Sequence, residues 1–171
     1  VGALAALVVI AAVGAALRFW RLGWGIDERI TFADEQLYWS PVLERFAPPS
    51  GDAFFPPDLT YPTLMSFVAG AGVAAANALG SLPPAGSARA VALVWIARVA
   101  DALLSLVSVA LVGAIGARFY SRRAGLVAAA LMAVVPLEVM QVHYASTDPL
   151  LVACMAATLL ASLELERRGT A

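Results

Sequence analysis

Residues 90–116 read AVALVWIARVADALLSLVSVALVGAIG, an apolar run that holds only two ionisable side chains, Arg98 and Asp101. As a helix this run extends about 40 Å, more than the roughly 30 Å hydrocarbon core of a bilayer, so it reads as a membrane span whose first turns reach the interface. Arg98 and Asp101 stand three residues apart on one helix face, where they can pair with each other. An ionisable group beside lipid costs about 2.5–3.5 kcal/mol at a helix centre, so the same two residues also invite a functional reading.

The composition agrees with that reading. The 171 residues are 61% hydrophobic and 13% charged, with a mean hydropathy of +0.83. Soluble domains carry about 25% charge, so a soluble cytoplasmic enzyme is excluded. With a net charge of -1 and arginines scattered at the ends of apolar runs, the chain offers no basic stripe, and no nucleic-acid partner is expected. Cys154 stands alone, which leaves neither a disulfide framework nor a thiolate metal site.

Further apolar runs give spans at about 1–17, 90–117, 124–142 and 149–165, and helix is the form that satisfies a backbone in lipid. No initiator Met and no basic segment precede the first run, and the chain stops just after the last. We therefore read 1–171 as the N-terminal portion of a longer multispanning chain. The long polar stretch 18–60 holds seven of the twelve acidic residues and three of the four tryptophans, Trp20, Trp24 and Trp39, which suit a membrane interface. Within it, 33–46 has the apolar spacing of a short interfacial helix, and Thr31 to Asp34 fits a capping box. Whether the weakly apolar segment 62–79 crosses the membrane is open from pattern alone. Grouping Arg118, Arg122, Arg123, Arg167 and Arg168 on the cytoplasmic side is compatible with either topology.

A second polar cluster, Glu138, Gln141, His143, Ser146, Thr147 and Asp148, is crowded between the last two runs. Asp148 followed by Pro149 is a helix start in its own right. One histidine with scattered carboxylates lacks zinc spacing, so no cofactor is expected, with a divalent metal left open.

The order of these segments resembles a known family. One span, then Ala33-Asp34-Glu35-Gln36-Leu37-Tyr38-Trp39 in a long loop, then Tyr61-Pro62-Thr63-Leu64, then Ala97-Arg98 in a long span, resembles the C-superfamily glycosyltransferases. Arg122-Arg123-Ala124-Gly125-Leu126, Pro136-Leu137 and His143-Tyr144-Ala145-Ser146-Thr147-Asp148-Pro149 continue the likeness, which is nearest to the branch of protein O-mannosyltransferases and aminoarabinose transferases. It implies an all-α integral membrane protein with four transmembrane helices and two membrane-surface helices, 33–46 and 62–79, in a long first external loop, 18–89. A second external loop would be 143–148. It implies a polyprenyl-phosphate-linked sugar donor held among membrane lipids, and an acceptor protein or glycolipid. The reaction centre would lie at the extracytoplasmic face of a membrane that we take as the bacterial plasma membrane. The acidic residue of that loop becomes Asp34, with Glu35 beside it, as catalytic candidates. Arg98 and His143 are candidates for the departing phosphate, and Asp148 for orienting a substrate group. The portion present here is expected to be inactive by itself. The competing class is a non-catalytic membrane subunit or transporter fragment, in which Arg98, Asp101 and Glu138 only knit helices together. The side of the membrane occupied by the Asp34 loop separates the two.

Overall fold

The computed structural model of the chain describes residues 2–26, 40–46 and 63–169, and every regular element among them is a helix. In order these are α1 (Gly2–Phe19), α2 (Ser40–Glu44), α3 (Thr63–Ala78), α4 (Ser87–Phe119), α5 (Arg122–Val134), α6 (Pro136–Gln141) and α7 (Asp148–Gly169). Three of them, α1, α4 and α7, are long and apolar enough to cross a membrane. The 33 residues of α4 make about 50 Å of helix, so its ends project beyond the hydrocarbon. Large apolar side chains such as Leu4, Val8, Leu151 and Met155 stand exposed on α1 and α7, the pattern of helices solvated by lipid.

The chain packs as two units. Val1–Trp20, Ala102–Gln141 and Asp148–Ala171 form the first, and Arg21–Asp101 with Val142–Thr147 the second. The helix α4 gives its C-terminal part to the first unit and its N-terminal part to the second.

In the first unit α1 lies on α5 and α6. Gly14 of α1 faces Ala133, and a Cβ there would stand in ordinary contact at 3.4 Å from the Ala133 Cβ. The ends of α4 and α5 come closer still. A Cβ on Gly125 would lie 2.6 Å from both the Ala117 Cβ and the Gly113 carbonyl oxygen, so only glycine fits, as at other small-residue crossings in membranes. Ser121 starts α5 by accepting the Ala124 amide at 3.1 Å, the usual N-cap bond. Arg118 at the end of α4 pairs with Glu164 of α7.

The expected continuous span 124–142 is divided. Val135 leaves the helix with ψ 118°, as residues before proline tend to, and α6 restarts at Pro136. Proline has no N–H to give the Met132 carbonyl four residues back. Arg18 fills the gap. Its guanidinium donates to the Met132 oxygen at 3.3 Å and the Ala133 oxygen at 2.7 Å, while Nε donates to Ser105 Oγ at 2.8 Å. Ser105 in turn donates its hydroxyl to Glu138 Oε2 at 2.6 Å. Arg18, Ser105 and Glu138 are all buried, so the network connects α1, α4, α5 and α6 inside the unit.

In the second unit α2 packs on α3. Met65, Ala69 and Val73 recur every fourth residue and are fully buried, which defines the inner face of α3. Phe46 lies flat against Gly70 and meets Phe67 edge to face, with ring centroids 6.1 Å apart. Glu44 and Arg89 pair at 3.0 Å. Of the expected interfacial helix 33–46, the described part is α2, which begins at Ser40; residues 33–39 lie outside the described residues.

Removing Arg18 would leave a buried carboxylate and three carbonyls, those of Gly14, Met132 and Ala133, without their cation, which for a broken buried pair costs about 3–5 kcal/mol. Arg18→Ala should lower unfolding stability in mixed micelles by that order, and Pro136→Ala, which restores an N–H donor, should reduce the loss. A double-mutant cycle reads the coupling, expected at about 1 kcal/mol or more; a value near zero would separate Arg18 from the proline break.

Candidate functional site

Four polar side chains interrupt the apolar surface of α4, at 98, 101, 105 and 108, a spacing that puts them on one helix face. All four are buried. Ser105 serves the Arg18 network, and Ser108 donates to the Leu104 carbonyl of its own helix at 3.3 Å. Arg98 and Asp101 belong to the second unit, where each takes hold of a loop.

Arg98 holds the turn after α1. Its Nη1 donates to the Leu22 carbonyl at 2.7 Å and to the Trp24 carbonyl at 2.9 Å. Bonds from a charged donor contribute about 1.5–3 kcal/mol each, enough to offset a strained backbone. Strain is present, because Arg21 has φ 51°, a left-handed conformation that costs a side-chain-bearing residue about 1–2 kcal/mol. The Trp95 ring, one turn before Arg98, closes over Gly23, where a Cβ would stand 2.4 Å from the indole. Leu22 and Ile26 are buried in the same turn, while Trp24 remains 46% exposed with an edge available to an interface.

Asp101 holds the other loop. Its Oδ2 accepts the Ser146 amide at 2.9 Å, which ties the stretch Val142–Thr147 to α4 three residues after His143. Val142 and Ala145 are buried beside it, whereas His143, Tyr144 and Ser146 are half-buried. Arg98 and Asp101 thus act one turn apart as anchors for two separate loops.

Arg98 and His143 lie in the second unit, together with Asp101. Asp148 lies in the first unit, in the opening turn of α7, where its Oδ2 accepts the Gln141 side-chain amide at 2.6 Å. Asp34 and Glu35 lie outside the described residues. Among the described residues no three His, Cys, Asp or Glu side chains converge on one point. Two buried participants escaped the sequence reading: Arg18, which looked like the basic end of a span, and Ser105, whose signal is its register with Arg98 and Asp101.

Replacing Asp101 by Ala should speed hydrogen exchange at the Ser146 amide by roughly tenfold or more, because the carboxylate that holds it is gone. Arg98→Ala should loosen residues 22–26 and leave Ser146 protected. If Asp101→Ala left exchange of the 142–147 stretch unchanged, the anchoring role would be refuted.

Residues 90–170, the stretch that opens with the first turns of α4 and contains Arg98, Asp101, His143 and Asp148, match the family model described as dolichyl-phosphate-mannose-protein mannosyltransferase. No curated protein and no solved structure matches the chain.

Proposed function

We propose that the chain forms part of an integral membrane glycosyltransferase that moves a sugar from a polyprenyl-phosphate carrier to an acceptor hydroxyl of a protein or glycolipid at the extracytoplasmic face. The observation that carries this reading is the match of residues 90–170 to a mannosyltransferase family model. The anchoring of two loops on adjacent turns of α4 supports it, since a loop-built reaction centre needs a rigid support.

In this reading the isoprenoid tail keeps the donor in the bilayer and its phosphate at headgroup level. The acceptor oxygen attacks the anomeric carbon, the bond from that carbon to the carrier phosphate breaks, and the acceptor proton passes to the Asp34 carboxylate. Glu35 stands next to it in sequence as a second carboxylate. The phosphate leaves with increased negative charge, for which His143 is the candidate partner, and Asp148 is a candidate for orienting a substrate hydroxyl. Arg98 is 1% exposed and has Nη1 on two carbonyls, so it acts chiefly as a positioning residue for the loop that leads to Asp34.

The base assignment is tested by Asp34→Asn in the full-length protein. Asn caps a helix about as well as Asp, so a capping residue would tolerate the change, whereas loss of a general base should cut single-turnover sugar transfer about 10²-fold or more. Glu35→Gln should cost less. Normal transfer by Asp34→Asn with normal unfolding would refute the role.

Sidedness is tested with single cysteines in a Cys154→Ala background. Ser50→Cys, in the Asp34 loop, should react with an impermeant thiol reagent from outside the cell. Tyr120→Cys, at an 83% exposed position between α4 and α5, should react only from the cytoplasm. Labelling of both from one side would sink the extracytoplasmic site.

A further inference from the structure

The first unit has a groove that the proposed reaction does not use. It runs along α1 from Ala3 to Ala15, is walled by α4 and α5, and encloses about 780 Å³. That volume lies within the roughly 300–1,000 Å³ of ligand pockets. Leu7, Ile10, Leu106, Val109 and Leu126 line it, and among the described residues Arg122 is the one charged side chain on its wall.

We propose that this groove holds one anionic phospholipid, with its acyl chains along α1, α4 and α5 and its phosphate on Arg122. The wall chemistry requires an occupant that is apolar over most of its length and negative at one end. Arg118 beside it is taken up by Glu164, whereas the Arg122 guanidinium is exposed at the end of the groove. Arg122 also opens α5, so an anion held by its guanidinium lies at the positive end of the helix dipole, although Ser121 already takes the Ala124 amide. The surrounding charge has the same sign: this end of the unit gathers Arg118, Arg122, Arg123, Arg167 and Arg168 against Glu164 and Glu166. Such an excess of arginine marks the cytoplasmic leaflet, where anionic phospholipid is the lipid that complements it.

The carrier lipid of the proposed reaction has an anionic head as well, but that reading puts its phosphate at the opposite face. The groove's occupant is therefore an ordinary two-chain phospholipid. The groove and the arginines call for an anionic lipid, and the exclusion of the carrier rests on the proposed extracytoplasmic reaction.

The test is native mass spectrometry of the full-length protein in mild detergent, titrated with phosphatidylglycerol or with phosphatidylcholine of the same chain length. One arginine near a headgroup contributes about 1 kcal/mol, so phosphatidylglycerol should bind about fivefold more tightly. Arg122→Gln, an exposed substitution, should bring the two lipids to equal affinity without loss of folding. Ala114→Leu, which fills the groove, should weaken both. Equal affinity in the unaltered protein, a preference that survives Arg122→Gln, or displacement by an equal amount of polyprenyl phosphate would each overturn the proposal.

Discussion

A buried guanidinium organises the first unit. Arg18 ends an apolar helix and turns inward, where it meets the carbonyls that Pro136 leaves without a helical partner. A membrane interior offers no water to take up such groups, so a break at Pro136 requires a donor from elsewhere in the protein. Once Arg18 supplies it, the positive charge must also be balanced, and Glu138 does so through the Ser105 hydroxyl. The arrangement is mutually dependent: the proline break calls for the arginine, the arginine calls for the glutamate, and the serine on α4 orients both.

The second unit repeats the principle with different groups. Here α4 presents Arg98 to carbonyls and Asp101 to an amide, and each fixes an irregular stretch that could not hold its shape by ladder hydrogen bonds. Polar residues inside an apolar helix are costly unless satisfied, and along this face of α4 the cost is offset by backbone partners. The chemistry of the loops can then vary while their bases remain fixed.

Much of this was legible in the sequence, though unevenly. The apolar runs disclosed α1, α4 and α7, because length and hydropathy are sufficient to identify a helix in lipid. The run 124–142 reads as one span, and its division at Val135 follows from Pro136, a residue tolerated in membrane helices where a neighbour satisfies the freed carbonyl; here that neighbour is Arg18, more than a hundred residues away. The pairing of Arg98 with Asp101 was a sound local expectation. Their partners at Leu22, Trp24 and Ser146 are distant in sequence and are main-chain atoms, which carry no residue identity to read. Asp148 was expected as a helix start and does open α7, but its tie to Gln141 depends on how the chain turns between α6 and α7. Asp34 and Glu35 lie outside the described residues, and their candidacy comes from family likeness and from the chemistry of a carboxylate.

The crossing of α4 and α5 has a mechanical meaning. With backbone against backbone at Gly113, Gly116 and Gly125, a slip of one residue along either axis would drive Ala124 or Leu126 into Ala117. The hairpin is therefore locked axially, like a notch in a ruler. From Arg122 to Ala133 is about 16 Å of α5, and the lock holds α4, with Ser105 of the buried network, at one height against that interval. A bilayer that thins or thickens must adapt to that interval, because the two helices have no means of sliding to absorb the mismatch.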